Sequence, residues 1–213
     1  MAASVGAGAG PRVRGRRSPP LGGLVLCGGH GRRMGTDKAL ILVEGLPLVL
    51  HVAELLSSVA DPVLLAPGAP GRLGDLGFAE VGDAVAGAGP LSGLVAGLEA
   101  SPHDLLAVVA ADMPFASPEL LLRLAELASG ADAVVPITAS GREPLHAVYS
   151  ASALPGLRAA LFEDHLAIRD ALGTLRVREV TEDEWRQADP SGRFSLNLNR
   201  PEDLARLGRP TSG

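Results

Sequence analysis

Lys38, Arg33, Arg32 and Asp37 crowd into one short stretch, LVLCGGHGRRMGTDKAL (Leu24–Leu40), directly after an apolar run and a pair of glycines. Such a stretch suits a triphosphate. Glycines let backbone N–H groups approach phosphate oxygens, and ammonium and guanidinium groups neutralise them. Spacing excludes two familiar glycine loops. A P-loop requires Gly-Lys followed by Ser or Thr, whereas Gly35 is followed by Thr36-Asp37-Lys38. A dinucleotide fingerprint requires G-x-G-x-x-G and an acid at the end of the next strand. Gly29 and Gly31 are followed by Gly35, one residue too late, and the next strand candidate, Val63–Ala66, runs into Pro67-Gly68 with no carboxylate. A turn with solvated arginines is the bland alternative, and the density of cations beside a buried strand speaks against it. Asp37 is expected to orient Lys38 by an ion pair, Arg32 is either a helper or a surface residue, and Met34 is a packing residue. His30 alone reads as a solvated loop residue.

Two carboxylates complete the chemistry. Asp112 follows the apolar run Leu105–Ala111, and a carboxylate leaving the end of a central strand is well placed for Mg²⁺, which takes one or two carboxylates together with substrate phosphates. Its alternative is to cap the helix near Pro118, a role that Ser117 already fits. Asp83 precedes a Gly-rich stretch, where aspartate is commonly a turn former; on residue chemistry alone both readings stand. Asn197 and Asn199 alternate with Leu196 and Leu198, so both amides are expected on one side of a short strand, where they can hydrogen-bond a ligand or cap the following helix. Arg142, in a Gly141-Arg142-Glu143 turn, either reaches an acceptor phosphate or is exposed.

The elements that must carry these groups alternate. Strands are expected at Gly22–Cys27, Pro62–Ala66, Leu105–Ala110, Ala133–Pro136, Leu145–Tyr149 and Val177–Val180. Several are continuously apolar, as in strands covered on both faces. Helices are expected at Pro47–Ala60, Leu91–Ala100, Pro118–Ala128 and Ala151–Leu161, from apolar residues three and four apart. Ser117 before Pro118-Glu119 is a start signal, and Pro201-Glu202-Asp203 opens a last helix. The alternation predicts a layered α/β domain with a mostly parallel sheet, in which ligands bind at the carboxyl ends of the strands. The first loop, Asp83 and Asp112 would all sit there. The Gly/Ala-rich stretch 82–93 reads as a mobile loop rather than a domain boundary.

Composition sets outer limits. With 213 residues and 46% hydrophobic content, one domain with a sizeable core is expected, spanning residues 21–208. Residues 1–20, rich in Ala, Gly, Pro and Arg, read as a disordered basic extension. The net charge of −5 argues against nucleic acid as the main partner. The single cysteine, Cys27, excludes an intrachain disulfide and fits a reducing compartment; at a strand end it reads as a small buried residue, not a catalytic thiol. No apolar run reaches the ~18–20 residues needed to span a bilayer.

The first loop fits G-G-x-x-x-R-M-G-x-D-K, the nucleotidyltransferase signature, at every position from Gly28 to Lys38. Further motifs follow in order: Gly45-x-Pro47-Leu48, Asp83 with Gly89-Pro90-Leu91-x-Gly93-Leu94, Asp112-Met113-Pro114-Phe115, Pro144-Leu145-x-Ala147-Val148-Tyr149, and Asn197-x-Asn199-x-Pro201-Glu202-Asp203-Leu204. In these the chain resembles the molybdenum cofactor guanylyltransferases, the MobA-like branch of the nucleotidyltransferases, from about Gly22 to about Leu207. The resemblance implies a single three-layer Rossmann-like nucleotidyltransferase domain that transfers GMP from GTP to molybdenum-molybdopterin with Mg²⁺, in the cytoplasm. It implies Lys38, Arg33 and Asp112 as catalytic residues and Asp112 and Asp83 as metal ligands. It also implies Leu26, Cys27, Gly28, Gly29, Lys38, Asp83 and Asp112 as nucleotide contacts, and Asn197 and Asn199 beside the pterin. Gly28 matches the L-A-G-G form of the guanylyl branch rather than the cytidylyl L-A-A-G. Cys27 and Ala66 depart from the family pattern, and at Ala66 a polar contact would be missing or supplied elsewhere. Molybdoenzymes or their chaperones are the expected delivery partners. The alternatives are cytidylyl or other nucleotidyl transfer to a different phosphorylated acceptor, and a catalytically silent nucleotide-binding adaptor; the retention of Lys38, Asp83 and Asp112 together counts against the last.

Overall fold

The computed structural model describes residues 19–28, 37–43, 45–163 and 167–198. Within them the chain runs β1 (Leu21–Leu26), β2 (Leu42–Val43), β3 (Leu46–Pro47), α1 (Leu48–Ser57), β4 (Val63–Gly68), β5 (Ala79–Gly82) and α2 (Pro90–Ala100). It continues as β6 (Leu105–Ala110), α3 (Pro118–Glu126), β7 (Ala133–Thr138), β8 (Gly141–Arg142) and β9 (His146–Ser150), then α4 (Leu154–Phe162), α5 (Ile168–Ala171), β10 (Val177–Val180) and α6 (Glu182–Trp185). The main sheet has the order β10-β7-β9-β6-β1-β4-β5, with β8 paired to β7. The core strands β6, β1, β4 and β5 pair in parallel, as do β10 and β7. Strand β9 runs antiparallel to both β6 and β7. The expected mostly parallel sheet is therefore present, with β9 reversed in its middle and the short β8 antiparallel to β7.

The continuous apolar runs have the anticipated cause. In a strand successive side chains point to opposite faces. Val25, Leu65, Ala107 and Val109 pack under α1 and α3, while Leu24, Leu64, Leu106 and Val108 pack under α2 and α4. Both faces are covered, which makes three layers. Helix α2 comes unusually close to the sheet. A Cβ on Gly97 would lie 2.5 Å from Leu24 Cδ2, and one on Gly93 would lie 3.0 Å from Leu26 Cδ2. These glycines, one helical turn apart, let the helix backbone rest on β1 and bring its first turn to the end of that strand.

The expected strands and helices recur with ends shifted by a few residues. The helix expected at Ala151–Leu161 begins with a 3₁₀ turn, Ala151–Ala153, before α4. Ser117 caps α3, its Oγ accepting from Leu120 N at 3.2 Å, with Pro118 in the first turn. Stretch 82–93 is only partly loop, because Gly82 ends β5 and Pro90 opens α2. The β2–β3 hairpin, with Gly45 at φ 87°, and β5 were not anticipated; each is too short or too polar to show a period. The segment Leu196–Leu198 is irregular rather than a strand. Leu196 is 51% exposed while Leu198 is buried with Val43 and Leu48, so tertiary packing against the hairpin overrides the alternation. The last helix and nearly all of the N-terminal extension lie outside the described residues. Among the described residues no helix is long and apolar enough to cross a membrane.

Candidate functional site

At the carboxyl edge of the sheet the ends of β1, β6 and the start of β9 are laced together. Ala111 N donates to Leu26 O at 3.0 Å, and Ala110 N donates to Leu145 O at 2.9 Å. This lacing opens a cleft of about 280 Å³, lined by Leu26, Cys27, Gly28, Lys38, Asp112 and Leu145 among others. A second hollow of about 100 Å³ adjoins it and shares Leu26, Gly28 and Pro90; Ala66, Gly68, Asp83 and Gly93 are also in its wall. The two lie where the strand order departs from chain order on either side of β1, the usual place for a ligand in an α/β sheet.

The sequence-derived candidates distribute over this edge as follows. Lys38, in a 3₁₀ turn (Lys38–Leu40) after the phosphate loop, places Nζ 2.8 Å from Asp112 Oδ2. Both side chains remain part-exposed, at 30% and 27%, so the pair faces the cleft rather than the core. Asp83 stands in the second hollow, beside Gly68 and Gly93. Burial raises its carboxyl pKa, partly offset by the Gly87 N–H donated to it. Gly28 is exposed at the end of β1, and a Cβ there would stand 3.4 Å from Gly68 N, projecting toward the narrow hollow. Asn197 is exposed on the segment that crosses behind Asp112, where Leu198 N donates to Asp112 O at 2.8 Å. Gly29, Arg33 and Asn199 lie outside the described residues.

Several expectations change. Asp37 does not pair with its neighbour Lys38 in the way expected. Its Oδ1 accepts from Ala39 N at 3.0 Å, capping the short turn, and its Oδ2 meets the Arg72 guanidinium. Of the two readings of Arg142, the structure shows a part-exposed side chain, paired with Glu179 on β10, Nη2 to Oε1 at 2.5 Å. Cys27 is buried as expected, and burial pushes its thiol up to about 12. Its backbone is engaged within the protein, N–H to Ala66 O at 3.1 Å and carbonyl to Arg72.

Three groups went unnoticed in the sequence. Arg72 sits in a loop punctuated by Gly68, Gly71, Gly74 and Gly77, all at positive φ; an arginine inside such a turn-rich loop is ordinarily read as solvated. Glu143 lies near Asp112, its carboxyl raised by burial while it accepts from Leu145 N–H. His146 is fully buried at the start of β9, its Nε2 accepting from Ser117 N at 3.0 Å. The only local hint of the last two was their place inside or beside the Pro144–Tyr149 motif.

A three-layer α/β domain with a glycine-lined cleft at strand ends, a lysine and two carboxylates is the architecture of a nucleotidyltransferase core. The family model for the MobA-like NTP transferase domain matches residues 23–180, and the chain belongs to that family. A molybdenum cofactor guanylyltransferase from Cereibacter sphaeroides is 40% identical over 193 residues, covering 87% of this chain and 94% of the relative. Among solved structures, molybdopterin-guanine dinucleotide biosynthesis protein A from Archaeoglobus fulgidus is similar with a TM-score of 0.75 and 29% identity, over 86% of this chain and 95% of that one. A 2-C-methyl-D-erythritol 4-phosphate cytidylyltransferase from Thermus thermophilus shares the fold alone, with a TM-score of 0.64 at 20% identity, over 88% of this chain and 94% of that one.

Proposed function

We propose that this chain transfers GMP from GTP to molybdenum-molybdopterin, releasing pyrophosphate. The observation that carries the reading is the 2.8 Å pair of Lys38 and Asp112, 74 residues apart in sequence, joined across the cleft of a MobA-like domain. A terminal phosphate oxygen of the acceptor attacks the α-phosphorus; the new P–O bond forms as the bond to the β-phosphate oxygen breaks. The attacking oxygen is already anionic, so the protein need not supply a strong base. Its work is in-line positioning and neutralisation of the charge that collects on the leaving pyrophosphate. Lys38, which lines the cleft, is assigned to that neutralisation together with Arg33.

In this reading Asp112 and Asp83 serve a divalent cation of the hard type. No group of three or more His, Cys, Asp or Glu could cage a metal among the described residues, and Mg²⁺ does not need one, since it takes one or two carboxylates together with phosphates and water. Asp112 at a strand end and Asp83, whose burial disfavours its charge, are the ligands assigned. Bound there, Mg²⁺ would supply positive charge to the triphosphate oxygens.

Guanine selection is assigned to the second hollow, where Gly28 leaves room that a methyl group would fill. Leu26, Cys27 and Gly29 complete the nucleotide wall in this reading, and Asn197 and Asn199 take the pterin side. Molybdoenzymes or their chaperones, as recipients of the product, and a cytoplasmic setting belong to the same proposal. The test is pyrophosphate release from GTP and, separately, CTP, with Mg²⁺ and molybdenum-loaded molybdopterin. Release with GTP alone is expected. Release with CTP alone would overturn the guanylyl reading, and release with neither would overturn the acceptor.

A further inference from the structure

We propose that Arg72 is a positioning residue that holds and neutralises the Asp37 carboxylate beside Lys38, so that it does not oppose the incoming triphosphate. The inference rests on reading the cleft as a triphosphate site. One guanidinium ties three separate chain segments. Its Nε donates to Pro67 O at 2.8 Å at the end of β4, its Nη2 donates to Cys27 O at the end of β1, and its Nη1 pairs with Asp37 Oδ2. These are the two ends of the glycine loop and the neighbouring strand end. The planar fork fixes all three directions at once, which a lysine could not reproduce.

The electrostatic consequence follows from adjacency. Asp37 is next to Lys38 in the chain and is the acid most available to it locally. With Arg72 present, Asp37, Asp112, Lys38 and Arg72 sum to no net charge. Without it, two carboxylates flank one ammonium, and this group of four becomes one charge more negative, which opposes a triphosphate. The arginine is held for this task. The loop that carries it is closed by Gly71 N donating to Glu80 Oε2 at 2.6 Å and Asp83 N donating to Gly68 O at 3.2 Å. Its side chain is 25% exposed.

The experiment measures GTP binding by calorimetry with Mg²⁺, and KM and kcat for GTP and acceptor, in wild type, Arg72→Gln, Asp37→Asn and the double variant. Arg72→Gln keeps a donor for the backbone carbonyls and removes the charge. It should weaken GTP binding about tenfold or more, the scale of one charge-assisted hydrogen bond, with the acceptor KM unchanged. Asp37→Asn in that background should restore most of the affinity, because asparagine can still accept from Ala39 N while the competing charge is gone. A purely structural role for Arg72 predicts a lowered melting temperature and no such rescue. GTP affinity in Arg72→Gln equal to wild type, or a double variant no tighter than the single one, overturns this inference while leaving the functional reading intact. Absence of GTP binding in wild type overturns both. Should Arg72→Gln fail to fold, Arg72→Met, which keeps the stem and removes the charge, carries the test: GTP affinity lowered severalfold, and recovered on adding Asp37→Asn, supports the inference, and wild-type affinity overturns it.

Discussion

His146 should make the fold lose stability in mildly acidic solution, and the amount can be worked out. The ring is fully buried, lies 4.8 Å from the Phe194 ring, and accepts Ser117 N–H on Nε2. That bond requires the neutral ring with its proton on Nδ1, and Nδ1 has no hydrogen-bond partner among the described residues. Protonating Nε2 would place a charge in the core and break the bond to Ser117, which also caps α3. Burial accordingly lowers the pKa from 6.5 to about 4, only partly opposed by its own backbone and by Asp189. The unfolded chain takes up the proton near its ordinary pKa and the folded chain does not. Stability is therefore whole above that value and is lost as pH falls toward about 4. The loss amounts to roughly 2 kcal/mol between about pH 7 and about pH 5, and to roughly 3 kcal/mol by about pH 4. Asp83 and Glu143, whose carboxyls are raised by burial, act in the opposite sense over part of this range, so the comparison must be differential. Denaturant unfolding of wild type and His146→Gln across this range isolates the histidine, since the variant retains every other titrating group and an acceptor for Ser117. Wild type should lose about 2 kcal/mol more than the variant on going to about pH 5. Parallel pH profiles would refute the reasoning.

Further outcomes follow from the same geometry. Asp112→Asn should abolish nucleotidyl transfer while changing folding stability by no more than about 1 kcal/mol, because the Lys38 pair is part-exposed; unfolding curves and pyrophosphate release together check both halves. Lys38→Ala should weaken GTP binding by roughly 1–3 kcal/mol, read by calorimetry, and an unchanged affinity would remove Lys38 from the site. Cys27, with its thiol pushed up to about 12, should resist alkylation near neutral pH in the native protein and react on unfolding; fast native labelling would contradict its burial. Gly97→Ala would press a methyl group to 2.5 Å from Leu24 and should cost about 1–3 kcal/mol, visible as a lowered melting temperature.

Sequence by itself determined the sheet-forming runs, the helix starts and the identity of the reactive groups, because these are local. A strand covered on both faces must be apolar throughout, as β6 is. A helix start such as Ser117-Pro118 is written within a few residues, and a run of glycines with Lys38 is legible as a candidate anion site wherever it falls. Tertiary structure alone decided which charges meet. Lys38 finds Asp112 across 74 residues, and Asp37 finds Arg72 instead of the lysine beside it, because parallel strands bring distant chain ends to one edge of the sheet. His146 became a buried neutral base only when α3 and Phe194 closed over β9. The segment around Asn197 took its shape from packing on the hairpin, not from its own alternation. Backbone periodicity is a property of neighbours in the chain, whereas a carboxylate's partner is set by topology, and the adjacent lysine in the sequence is no guide to it.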